Sequence, residues 1–135
     1  MTTPFGPQLI GETEKTLNAL LLRHLHGTDL TEPQWVTLRV AHMLDGTVNH
    51  DGLAIAVTDR AHFPDAAQHV DDLTARGLLD DGRLTSEGRE LLARLQASIA
   101  GDASAIFDDL APDDIAITER VLNQLLSRAR VVLAS

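Results

Sequence analysis

Apolar residues recur along most of the chain at the three-to-four-residue spacing of amphipathic helices, and the strict alternation of a half-buried strand is almost absent. The first such segment runs from about Gln8 to His26 and ends at Gly27, a natural helix stop. The second opens at Thr31, where Thr31 and Gln34 can form a capping box, and it ends at Asp45-Gly46. The pattern therefore predicts two helices in the first third of the chain.

The middle of the chain predicts two shorter helices and a hairpin. One helix covers about Gly52–Arg60, and the next begins at Phe63 or Pro64 and ends at Arg76. The pair Asp81-Gly82 then separates two short extended pieces, which is a strong signal for a β-hairpin.

Two long helices complete the prediction. The first starts at Thr85 or Ser86 and continues to about Leu110, and the second covers Asp113–Ala134. The last helix is apolar over more than one stripe, so it needs a second surface against which to pack. We expect that surface to come from a second copy of the chain.

This order predicts a mainly α fold with a small β-hairpin wing, that is, a winged helix-turn-helix with N- and C-terminal dimerisation helices. A length of 135 residues fits one domain covering 1–135. Within it, residues 28–96 would form the winged-helix lobe, and residues 8–26 and 101–134 the dimerisation helices.

Several short motifs make the chain resemble the MarR family of bacterial transcription regulators. They are Leu30-Thr31-x-x-Gln34-Trp35-x-x-Leu38, Leu53-Ala54, Leu73-x-x-Arg76-Gly77-Leu78-Leu79 and Leu84-Thr85-x-x-Gly88-Arg89-x-Leu91-Leu92. The resemblance covers nearly the whole chain. It implies a homodimer that binds pseudo-palindromic double-stranded DNA and that responds to a small-molecule effector.

The resemblance places the DNA contacts on the fourth helix, on the wing and beside them. Gln68 would read adenine, His69 would touch a phosphate, and arginines would hold the DNA backbone. The predicted DNA-binding residues are Arg60, His62, Pro64, Ala67, Gln68, His69, Arg83 and Arg89.

The charge of the chain opposes this interpretation. The formal net charge is −9, and residues 28–96 hold twelve acids against six arginines. The family usually has Ser, Thr and Arg at the exposed N-terminal positions of the fourth helix, whereas this chain has Asp65 there, with Asp71 and Asp72 further along. The hairpin is too short for the family's usual reach, and only Arg83 is left at its tip. The alternative is a winged-helix dimer that has lost DNA binding and acts as a protein-interaction or small-ligand-binding module.

Trp35, Leu38, His42 and Leu21 are candidates for the wall of an effector pocket, because the family's effector site lies between the dimerisation helices and the winged lobe. The simpler interpretation of Trp35 is a core residue at helical spacing.

Other chemistry finds little support in the sequence. There are no cysteines, and no two of the six histidines have the His-x-x-x-His spacing of a metal site, so we expect neither a metal nor a cofactor. Phosphate-binding glycine loops and hydrolase motifs are missing, so we expect no enzyme. No apolar run approaches the roughly 18–20 residues of a membrane span, and no signal peptide is evident, so we expect a cytoplasmic protein without membrane contact.

Overall fold

The computed structural model describes all residues from Met1 to Ser135, in two compact units, Met1–Ala100 and Gly101–Ser135. Six helices and one two-stranded antiparallel sheet make up the chain, which is the mainly α architecture with a small hairpin that the sequence predicts. The elements are α1 (Pro7–Leu25), α2 (Glu32–Leu44), α3 (His50–Ala61), α4 (Ala66–Ala75), β1 (Leu79–Asp80), β2 (Arg83–Leu84), α5 (Ser86–Phe107) and α6 (Pro112–Ala134). No helix combines the length and the apolar character needed to cross a bilayer.

The predicted capping box at the start of α2 is present. The Thr31 hydroxyl accepts a hydrogen bond from the Gln34 backbone N–H at 3.3 Å, and the Gln34 side chain accepts one from the Thr31 N–H at 3.1 Å. Two of the N–H groups that a helix start leaves unpaired are thereby satisfied. The helix then buries Trp35, Leu38 and Ala41 in the centre of the first unit.

The helix-turn-helix consists of α3 and α4, and both of its starts differ from prediction. α3 begins at His50, earlier than the predicted Gly52, because the Asn49 side chain caps it by accepting from the Gly52 N–H at 2.8 Å. α4 begins at Ala66, so the prediction of a start at Phe63 or Pro64 was wrong. A proline disfavours the helical conformation of the residue before it, and Pro64 and Asp65 form a turn instead.

The wing is a hairpin of two residues on each strand. Leu79 pairs with Leu84 and Asp80 with Arg83. The two turn residues, Asp81 and Gly82, have φ angles of 48° and 81°, which are the positive values that a type I′ turn requires. The Asp-Gly signal in the sequence thus predicted the turn correctly.

The hydrophobic core of the first unit lies among α2, α3, α4, the wing and the first half of α5. The only buried polar side chain is Thr37, whose hydroxyl donates to the Pro33 carbonyl at 2.7 Å. Gly88, in the first turn of α5, packs against the backbone of Leu78. The fully buried large side chains of this core are Leu38, Leu53, Val57, Val70, Leu73 and Leu79.

The second unit contains the end of α5 and all of α6. α5 ends at Phe107, before the predicted Leu110, and α6 begins with Pro112 in its first turn. No residue of α6 is buried in the monomer, although the helix is rich in apolar side chains.

Candidate nucleic-acid interface

The outward surface of α4 is acidic. Ala67, Gln68, Asp71 and Ala75 are exposed, and no lysine or arginine occurs between Ala66 and Ala75. The helix has no side-chain cap, so the first N–H groups of α4 have no side-chain acceptor. A helix start of this kind can bind a phosphate without any cationic side chain.

Gln68 and His69, the two predicted DNA contacts in the middle of α4, already have acidic partners. The Gln68 amide donates to Asp72 Oδ1 at 2.8 Å. His69 Nε2 lies 3.2 Å from Asp65 Oδ1, and the imidazole packs edge-on against Phe63, with ring centroids 6.2 Å apart and an interplanar angle of 81°. The His69 side chain is only 15% exposed. Gln68 is therefore more accessible to a binding partner than His69 is.

His50 connects the wing, α3 and α4. Its backbone N–H donates to Asp81 Oδ1 on the wing turn at 3.1 Å, so the wing supplies an acceptor for the first turn of α3. Its imidazole Nε2 lies 2.7 Å from Asp71 Oδ1 on α4. Because an ionised carboxylate only accepts hydrogen bonds, the imidazole is the donor in this pair. The wing and α4 are thus both bonded to the same residue.

The Arg83 side chain is exposed, but one side of it packs against the turn between α2 and α3. Its guanidinium lies against Gly46, where an added Cβ would come within 2.5 Å of Nε and 2.6 Å of a terminal nitrogen. Gly82 packs equally closely on the Asn49 carbonyl. The wing therefore packs against the segment between α2 and α3, and Arg83 is part of that contact.

The remaining predicted contacts come from the end of α3, the segment between α3 and α4, the start of α4 and the start of α5. Arg60 is exposed in the last turn of α3, and His62 is exposed in the following turn with a φ of 59°. Pro64 and Ala67 are exposed at the start of α4, and Arg89 is exposed in the first turn of α5. None of the arginines forms an ion pair with a carboxylate, so their charges are available to a partner.

Arg76 instead forms hydrogen bonds within the fold. Its guanidinium donates to the carbonyls of Asp29 at 2.9 Å and Thr28 at 3.4 Å, which connects the end of α4 to the loop before α2. This contact explains the arginine of the Arg76-Gly77 motif without a role in binding.

The four candidate pocket residues do not line one common pocket in the structure. Trp35 and Leu38 are buried in the core, and Leu21 is partly buried against it. Only His42 lines a surface depression, which has a volume of about 480 Å³ and which it shares with Arg39 and Arg60. Sequence reasoning missed this depression, because its walls come from three helices.

Sequence reasoning also missed the junction at His50. Asn49 was an available signal, because asparagine is one of the most favourable N-cap residues. The partners Asp71 and Asp81 had no local signal, since they lie 21 and 31 residues from His50 along the chain. No group of three or more histidine or acidic side chains is arranged to hold a metal ion.

The comparisons with known proteins support the fold. Neither a protein-family model nor a curated protein sequence matches the chain. Among solved structures, the PcaV transcriptional regulator from Streptomyces coelicolor is similar at 25% identity, over 93% of this chain and 98% of that one, with a TM-score of 0.58. A MarR family protein from Bacillus stearothermophilus is similar at 18% identity, over 94% and 99% of the two chains, with a TM-score of 0.57.

A third similar structure is that of a protein of unknown function from Listeria innocua Clip11262. It shares 19% identity over 88% of each chain, with a TM-score of 0.62. All three similarities cover most of both chains, so they are not confined to the helix-turn-helix.

Proposed function

Since this chain has the fold of the MarR-type regulators, we propose that it is a DNA-binding transcriptional regulator that acts as a homodimer. The observation that carries the proposal is the complete helix-turn-helix and wing in one lobe, in a chain similar over 93% of its length to the PcaV transcriptional regulator.

In the proposed complex, α4 enters the major groove. Gln68 is the side chain best placed to read a base, because it is exposed and its partner Asp72 lies on the same helix. The first N–H groups of α4 bind a phosphate. Arg60, Arg83 and Arg89 hold the DNA backbone, and His69 positions the start of α4 through its contacts with Asp65 and Phe63.

Dimerisation supplies the second reader helix. The apolar side chains of α6, and the exposed Ile10, Leu17 and Leu22 of α1, are available for a two-fold interface. A small-molecule effector would act by changing the separation of the two reader helices, which shifts the affinity for DNA.

The test is selection from a pool of random duplexes at low salt, followed by a salt titration on the enriched sequence. We expect an enriched palindrome whose affinity falls steeply as salt rises, because each neutralised phosphate releases counterions. Arg83→Ala should lower the salt dependence by about one phosphate contact, and Gln68→Ala should relax base preference. Arg94→Ala, at an exposed arginine outside the proposed interface, is the control.

A second function follows from the charge of α4. If the pool yields no enrichment at low salt, where electrostatic binding is strongest, the lobe has another partner. The absence of lysine and arginine on α4, together with Asp71 and Asp72, favours a basic protein as that partner.

A further inference from the structure

The hydrogen bond between Gln68 and Asp72 sets the orientation of an exposed amide on α4. Gln68 Nε2 donates to Asp72 Oδ1 at 2.8 Å, across one turn of the helix. An ionised carboxylate only accepts hydrogen bonds, so the nitrogen of the amide has to face Asp72. The carbonyl oxygen Oε1 therefore lies on the opposite side of the amide, away from the carboxylate.

The two side chains differ in exposure. Gln68 is exposed and lies in the first turn of α4, the end of a recognition helix that contacts base edges. Asp72 is partly buried, one turn further along. The amide has two N–H hydrogens and one carbonyl oxygen, and Asp72 accepts only one of the hydrogens. The second hydrogen and Oε1 are left for a base.

This arrangement matches one purine and not the other. In the major groove adenine presents a donor, the N6 amino group, beside an acceptor, N7, whereas guanine presents two acceptors, O6 and N7. Oε1 of Gln68 accepts from adenine N6 while its free N–H donates to N7. To bind guanine, the amide has to turn its nitrogen toward the base. That rotation breaks the hydrogen bond to Asp72 and brings Oε1 close to the carboxylate.

We propose that Asp72 is a positioning residue, which orients Gln68 to bind adenine and to reject guanine. The inference rests on the proposed function, DNA binding through α4. It also gives an acid on a DNA-binding helix a purpose. The negative charge lowers the affinity for every duplex, because it repels phosphates, and in return it makes the choice of base more selective.

The hydrogen bond is tested first on the full chain without DNA, by nuclear magnetic resonance of the side-chain amides. The two amide protons of Gln68 should differ in chemical shift, and one of them should move in Asp72→Asn. Asp71→Asn is the matched control, because it removes the same charge from the same helix at a residue that is bonded to His50 and not to Gln68. It should leave the Gln68 protons in place.

The choice of base is tested on the enriched duplex, at the position where Gln68→Ala removes the preference. Fluorescence anisotropy at fixed salt compares adenine with guanine there, and the parent should favour adenine about tenfold or more. Asp72→Asn should lower this ratio about fivefold, the effect of one net hydrogen bond, because an asparagine amide donates as well as accepts. Asp72→Glu keeps a group that only accepts, so it should retain most of the preference.

Affinity and preference should separate in these variants. Asp72→Asn and Asp71→Asn should both bind all duplexes more tightly, since each loses a negative charge, but only Asp72→Asn should lose selectivity. In a Gln68→Ala background, Asp72→Asn should leave the adenine-to-guanine ratio unchanged, because the two residues act through one interaction.

Three results would overturn the positioning role while DNA binding stands. They are Gln68 amide protons that do not respond to Asp72→Asn, an unchanged base ratio in that variant, and a preferred base other than adenine at the Gln68-dependent position. A chain that has the Gln68–Asp72 hydrogen bond in solution but enriches no duplex would disprove the proposed function instead.

Discussion

Gly88 lies where the first turn of α5 meets the backbone of Leu78, and this contact leaves no room for a side chain. A Cβ at Gly88 would overlap the Leu78 carbonyl oxygen, a backbone atom that cannot rotate away. The glycine of the Leu84-Thr85-x-x-Gly88 motif is therefore explained by packing. It keeps the wing and α5 in contact, and the same helix contains a second glycine, Gly101, with nothing within 4 Å of its added Cβ.

We expect opposite effects of alanine at these two positions. Gly88→Ala should lower the free energy of unfolding by about 1–3 kcal/mol, the usual cost of forcing extra atoms into a packed site. Gly101→Ala should raise it by up to about 1 kcal/mol, because alanine favours a helix more than glycine does. Urea denaturation of both variants measures the difference. Equal stability of the two would show that α5 does not pack on Leu78 as described.

Gly46 and Arg83 form a second contact that a single methyl group would disturb. An added Cβ at Gly46 would lie 2.5 Å from the guanidinium Nε, and Gly46 also has a φ of 76°. Gly27 has a similar φ of 83° but nothing within 4 Å, so it provides a control for backbone strain alone.

Gly46→Ala should destabilise the chain only slightly more than Gly27→Ala does, since the atoms that it meets are the movable end of the exposed Arg83 side chain. Both variants carry the cost of about 1–2 kcal/mol for a left-handed alanine, and only the first displaces Arg83. In an Arg83→Ala background the excess should disappear, which a double-mutant cycle of denaturation midpoints measures. An excess that persists without the arginine would mean that the strain at Gly46 has another cause.

At the scale of elements, the sequence correctly predicted the features that depend on residues close together in the chain. The capping box of Thr31 and Gln34 and the type I′ turn at Asp81-Gly82 involve residues close in sequence, so both were predicted correctly. The start of α4 was wrong because the helical period continues through Phe63, whereas Pro64 restricts the backbone there.

The position of the wing depends on distant contacts that no local pattern contains. Asp81 reaches the N–H of His50, 31 residues earlier, and Arg83 lies on Gly46. These contacts join the wing to the start of α3, so the two elements form one unit in the lobe.

Removal of the Asp81 carboxylate should loosen the start of α3. Asp81→Ala takes away the acceptor of the His50 N–H, which we expect to cost about 1 kcal/mol, as the loss of an N-terminal cap does. Asp81→Asn keeps an acceptor oxygen and a residue that tolerates a positive φ, so it should cost less. Hydrogen exchange at the first N–H groups of α3 checks this. Equal protection in the parent and in Asp81→Ala would contradict the role of the wing.

At the scale of the whole molecule, the two compact units differ in how far they satisfy their own apolar side chains. The first unit buries a core that extends from Leu25 to Leu95. In the second, α6 has 23 residues and none of them is buried. Ile115, Leu122, Leu126 and Leu133 are spaced by seven, four and seven residues, which places them on one face of the helix.

This unburied face is the basis of the last prediction, that the chain is a dimer at micromolar concentration and that α6 forms part of the interface. Leu122→Glu should raise the dimer dissociation constant on the order of a hundredfold, because an unpaired buried carboxylate costs about 3 kcal/mol. Ile55→Glu is the matched control, since Ile55 is also a large apolar residue on the surface, but on α3. Light scattering of the three proteins over a range of concentrations distinguishes the outcomes. A monomeric parent, or a dimer equally weakened by both substitutions, would mean that the apolar face of α6 does not form the interface. The proposal that two copies of α4 bind a palindrome would then lose its basis.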